Sequence, residues 1–206
     1  KSHYMRKNLL LCFISVFLSS YLFSQDYETK EIKAIKKSLK QLSGKAKVDS
    51  MIALCEYYFQ IGFFGEKDPR SDSISLYATN AKKVSENLRY HRGMAHAKVF
   101  LGFVYMTRST RNNTELAEQE LKEALATNLL VENIRGYANG FLGAIYSDSY
   151  ANHDKGIAYL RIALKHFQNC GNKKEEALTY IRLAMSYQRK NDLINAVDCS
   201  GEALRL

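Results

Sequence analysis

The side chains with the widest chemical range in this 206-residue chain are five histidines and four cysteines. They are His3, His91, His96, His153 and His166, with Cys12, Cys55, Cys170 and Cys199. Zinc and similar metals need several such ligands at short, fixed spacings. The histidines and cysteines form no set of several ligands at such spacings, and His91 and His96 are five positions apart, a poor match to one helix face. His96 and its neighbour Met94 are read as residues of a repeat surface, not as ligands. No Gly-rich phosphate loop, no His-Glu-x-x-His and no Gly-x-Ser-x-Gly occurs. The expectation is therefore no catalytic residue, no metal, no cofactor and no enzyme. Cysteine usage adds little. Cys12 lies in an apolar N-terminal segment, and an odd three remain, which does not support a disulfide framework. Cys55 is expected to pack and Cys170 to be exposed in a turn, with a Cys170–Cys199 bridge left open.

The elements that would have to position any site are organised as a repeat. Leu54-Cys55-Glu56-Tyr57-Tyr58, Leu101-Gly102-Phe103-Val104-Tyr105, Leu142-Gly143-Ala144-Ile145-Tyr146 and Leu183-Ala184-Met185-Ser186-Tyr187 share one pattern, a Leu, a small residue and then Tyr. Their leucines are 47, 41 and 41 residues apart. A period of this size is the mark of a repeat architecture. Each copy has a second half with small and large residues at spacings of four and three, which place them on one helical face. These sets are Ile74-Ala78-Ala81, Ala117-Leu121-Ala124, Gly156-Leu160-Ala163 and Ala196-Ser200-Ala203. Each unit reads as two helices joined by a short turn, hence antiparallel. A single proline, no tryptophan and no sustained apolar alternation favour an all-α chain.

These residues resemble the tetratricopeptide repeat family, over roughly residues 46–206. The match is carried by Leu-Gly-x-x-Tyr at 101–105 and 142–146, followed by Ala117/Ala124 and Gly156/Ala163. The resemblance implies a right-handed solenoid of antiparallel helix pairs, here with a period near 41 residues where the family usually has 34. The family's proline after the second helix is missing, and of Met51, Lys98, Asn139 and Tyr180 only the last is the aromatic expected before each Leu. The resemblance also implies a concave face lined by the first helices, with protein or peptide as the partner. Carried over by position, that groove is Phe59, Val99, Phe103, Met106, Gly140, Ala144, Ile181, Met185 and Gln188, flanked by Ile52, Glu56 and Ser147. The Lys, Asn and Arg with which the family's chaperone-tail binders grip a carboxylate are absent there. The face is apolar and contains methionine, as adaptable surfaces do. The same residues would serve equally to pack the next helix turns or a further segment.

The formal charge is +9. The densest run, Lys30, Lys33, Lys36, Lys37, Lys40, Lys45 and Lys47, surrounds Ile32, Ile35, Leu39 and Leu42, the pattern of a solvated helix face. No nucleic-acid partner is expected. The order along the chain reads as a secretory signal within residues 1–24, a leading amphipathic helix in 25–45 that covers the first repeat, and four helix pairs in 46–206. Connections are expected at Gly62 to Asp72, Arg108 to Asn113, an irregular Asp148 to Asp154, and Asn191-Asp192. Arg6 and Lys7, the apolar run Leu9 to Leu18, and Leu22-Phe23-Ser24 form the signal, with Lys1 to Tyr4 preceding the natural start at Met5. Its apolar stretch is shorter than the ~20 residues of a membrane span. The chain reads as the front of a longer protein, because no polar closing helix follows Leu206. The resemblance then extends to the extracytoplasmic repeats of bacterial signalling proteins, histidine kinases or LuxR-like regulators. The expected function is a non-catalytic interaction or sensory module, exported to the periplasm or tethered to its membrane. Self-association is open, and membrane contact would come only through the signal or a downstream helix. The alternative is a stand-alone exported scaffold for envelope proteins. Expressed in a bacterial host, the processed chain should begin close to Gln25 by mass spectrometry. A chain beginning at Met5 would remove the export reading.

Overall fold

The computed structural model describes residues 29–61, 69–108 and 110–206, in two compact units, 1–41 and 42–206. The expected signal lies outside the described residues. The first unit contributes α1 (Lys30–Ser38). The Thr29 hydroxyl caps it by accepting from the Ile32 N–H at 3.4 Å, and Lys36 and Lys37 in the last turn suit the helix dipole. This helix ends at Ser38, short of the expected Ser43-Gly44 stop. Ser43 instead precedes the next helix.

The second unit holds α2 (Gly44–Gln60), α3 (Pro69–Asn87), α4 (His91–Thr107), α5 (Arg111–Leu125), α6 (Glu132–Ala144), α7 (His153–Cys170), α8 (Lys173–Arg189) and α9 (Leu193–Arg205). No strand occurs among the described residues. The chain is all-α. Helix α3 starts at Pro69, inside the expected loop, because proline's fixed φ and missing N–H suit the first helical position. Side chains of Thr110, Asn152, Asn172 and Asp192 cap α5, α7, α8 and α9 by accepting from the N–H three residues on. Four turns share one device, a left-handed residue at Arg89, Ala151, Gly171 and Asn191 with φ of 51°, 50°, 69° and 60°. The next N–H then returns to the helix just finished, as from Asn172 to the Phe167 carbonyl (2.9 Å) and from Asp192 to that of Tyr187 (2.9 Å).

The irregular connection expected at Asp148 to Asp154 begins earlier, as a π-helical turn (Ile145–Ser149) that continues α6. Its wider spacing brings two tyrosines onto one carboxylate. Tyr146 and Tyr150 both donate to Glu118 on α5. It also sets the Ser147 hydroxyl 3.0 Å from that of Ser186 on α8.

Packing follows the repeated pattern. Leu54, Leu101, Leu142 and Leu183 are all buried, as are Tyr58, Tyr146 and Tyr187. Every helix from α2 to α9 packs on its neighbours in sequence, and α4 also packs on α2 and α6. A Cβ built on Gly102 would meet Leu121 Cγ at 2.6 Å, and one on Gly143 would meet Leu160 Cγ at the same 2.6 Å. The two glycines let α5 and α7 approach α4 and α6 closely. Cys55 fills the equivalent slot in α2, buried, with its thiol toward the Ile74 carbonyl at 3.6 Å. Cys170 and Cys199 are free, so the bridge left open in the sequence does not form.

Gly143→Leu would also press on the Gly156 carbonyl, 3.2 Å from the added Cβ, which is backbone and cannot swing away. We expect it to cost roughly 1–3 kcal/mol or more, read from urea unfolding. Gly201→Ala, where an added Cβ meets nothing within 4 Å, should cost none of this.

Candidate functional site

The nine positions expected to line one groove divide into three groups. Val99, Phe103 and Gly140 are buried. Phe59, Met106 and Ala144 are half-buried, and Ile181, Met185 and Gln188 are exposed. The middle of the expected groove is thus a packed seam. Phe59 meets Phe103 (5.0 Å between centroids), Tyr137 (4.7 Å) and Phe141 (5.4 Å), with rings near perpendicular. Phe103 meets Phe141 at 5.2 Å, and Tyr137 meets Phe167 at 5.5 Å. Edge-to-face and offset contacts of this kind add to the area that the rings bury. The physical reason is that α6 lies against α4, so positions that would face a groove become helix–helix contacts. Ile52 and Ser147 are buried too, and Glu56 is half-buried.

The last group sits differently. Ile181, Met185 and Gln188 line a cleft of about 540 Å³ between α8 and α9, facing Leu193, Val197 and Leu204. Leu193, Val197 and Leu204 recur at intervals of four and seven along α9, one stripe of that helix. The three are 59%, 69% and 89% exposed, and no charged side chain lines the cleft. Scattered exposed leucines need no explanation, but a contiguous apolar cleft does. Chemically it can hold an apolar group and little else. The sequence reading named the α8 wall and missed the α9 wall. Its signal was present in Leu193, Val197 and Leu204, apolar residues outside the small-large-small set of that helix.

His96, expected on the surface, is buried, and its Nε2 has no hydrogen-bond partner among the described residues. Burial, and then the Arg92 charge, push its pKa down. His166 pairs with Glu132 at 2.8 Å. Among the described residues no three His, Cys, Asp or Glu side chains gather as a metal site would require. No described helix is long and apolar enough to cross a membrane.

No protein-family model matches the chain, and no curated protein matches it. Among solved structures it is similar to the crystal structure of BtubC (BKLC) from P. vanneervenii, with a TM-score of 0.62. The identity is 19%, over 96% of this chain and 79% of that one. A likeness at this identity extends to the helical fold alone.

The division of the nine residues is measurable. Phe103→Ala should remove core and lower stability by about 3–5 kcal/mol in urea unfolding. Met185→Ala should stay within about 0.5 kcal/mol of the unaltered chain. Equal effects would place the two side chains in the same environment.

Proposed function

We propose that this chain is a non-catalytic protein–protein interaction module built as a tetratricopeptide-like, right-handed solenoid of antiparallel helix pairs. The repeated Gly102–Leu121 and Gly143–Leu160 approaches support the paired architecture. So do the short connections and the contacts between successive helices. The interaction reading is carried by one observation, the uncharged apolar cleft between α8 and α9. Its occupant is an amphipathic helix of a partner protein. Ile181 and Met185 stand 41 residues after Gly140 and Ala144, and those stand 41 after Val99 and Phe103. At Phe103 the next helix but one, α6, lies across the position, with the Phe141 ring 5.2 Å away. The cleft therefore repeats, uncovered, a surface that takes a helix elsewhere in the same chain. The module works on the extracytoplasmic side, as the basic and apolar segment from Arg6 to Ser24 suggests. It belongs, in this reading, with the exported repeats of bacterial signalling proteins.

A labelled helical peptide with leucines at i, i+3, i+4 and i+7 serves as a stand-in partner in fluorescence anisotropy. Ile181→Glu and Met185→Glu should each weaken its binding about tenfold, the loss of one well-placed apolar anchor, with helix content unchanged. Lys83→Glu, on the exposed side of α3, should leave it unaltered. Binding indifferent to Ile181 and Met185 would defeat the proposal.

A further inference from the structure

One wall of the α8–α9 cleft is itself an amphipathic helix. Among the described residues the four most exposed of the large apolar side chains are Leu193, Ile194, Val197 and Leu204, all on α9. Leu193, Val197 and Leu204, with Ser200, form a run at 193, 197, 200 and 204 that lines the cleft. Its spacings are four, three and four, the alternation that keeps a seam on one side of a helix. Helix α9 therefore carries the apolar stripe that the cleft requires of an occupant.

The run has a second property. Its spacings read the same from either end. Lay a second α9 antiparallel to the first, with the midpoints of the two runs matched. Leu193 then falls opposite Leu204 of the second copy, and Val197 falls opposite its Ser200. A branched side chain meets a small one, the pairing by which packed helices interdigitate. Each pair occurs twice, as a two-fold axis demands. A parallel arrangement would instead set Leu204 on Leu204 and Ser200 on Ser200, leaving two hydroxyls in the apolar seam.

Electrostatics and size agree with the antiparallel pair. No charged side chain lines the cleft, so no like charges meet at its centre. Asp198, the charge nearest the midpoint, stands about 130° round the helix from the run. Antiparallel helices also oppose their dipoles. A stable interface covers about 800 Å² on each partner, around an apolar centre with a polar rim. Ile181, Met185, Leu193, Ile194, Val197 and Leu204, large side chains on two adjoining helices and all exposed, supply a centre of that kind.

We propose that the cleft docks a second copy of this chain. Two molecules pair about a two-fold axis, and each lays its α9, antiparallel, over the α8–α9 cleft of the other. This inference rests on the reading of the cleft as a helix-binding surface, and it names the helix. Each α9 is then both wall and occupant. Pairing and the binding of a foreign helix exclude each other.

The test is sedimentation equilibrium of the full chain over about two decades of concentration. The mass should approach twice that of one chain and fall back on dilution. Val197→Glu should weaken pairing about a hundredfold, because the axis places each lost anchor in the interface twice. Leu76→Glu, exposed on α3, should leave pairing unaltered. If Val197→Glu does not fold, Ser200→Arg carries the test. The register is read by disulfide formation in a Cys12→Ser, Cys170→Ser, Cys199→Ser background. Leu193→Cys and Leu204→Cys chains should cross-link when mixed and not when alone. The leucine-bearing helical peptide should dissociate the dimer. A chain that stays monomeric but binds that peptide would overturn the second copy and leave the helix-binding reading standing. A monomer that binds no peptide would end both. A dimer indifferent to Val197→Glu and Ser200→Arg, or one cross-linked by Leu193→Cys alone, would also overturn the proposal.

Discussion

The architecture depends on how closely the second helix of a unit can approach the first. At Gly102 and Gly143 the leucine of the following helix, Leu121 or Leu160, occupies the volume in which any other residue would keep its Cβ. That approach fixes the helix separation, and the separation decides which other side chains reach one another. The buried tyrosines extend the arrangement outward. Tyr146 reaches back to Glu118 on α5, and Tyr187 accepts from Arg161 on α7 at 2.5 Å. A methyl group in either glycine slot would move these polar contacts as well as the leucines, because interiors are packed too densely to absorb it locally.

Much of this is legible in the sequence because it is local and periodic. Leu54, Leu101, Leu142 and Leu183 with their small neighbours and the Ala117-Leu121-Ala124 face lie in the core because a helix puts positions four and three apart on one side. The turn at Asn191-Asp192 was equally plain from residue type and position. The π-turn was not, since nothing in Ile145–Ser149 marks a widened turn and its function depends on a glutamate on another helix.

The candidate surface was half legible for a different reason. Whether an apolar residue on a first helix lines a groove or a helix contact depends on whether another helix covers it, and that is decided elsewhere in the chain. Phe103 is covered by α6, while Ile181 and Met185, in the corresponding repeat, are open. The polar link between α2, α6 and α8 was illegible altogether. Glu56 accepts from Asn133, Asn133 accepts from Asn172, and Lys174 donates to the Gln60 carbonyl across 114 residues. Only the three-dimensional meeting of the three helices brings these groups together.

The bond from Lys174 to the Gln60 carbonyl, with the Glu56–Asn133–Asn172 bridge beside it, bears on how the molecule comes apart. In an open array of repeats each unit touches only its neighbours, so an end can fray while the rest stays folded. Here α8 is fastened to α2 directly as well as through the helices between them. Loosening α2 therefore releases this bond to α8 in the same step. Such a circuit of contacts shifts local openings of α2 and α8 toward concerted ones within residues 42–206.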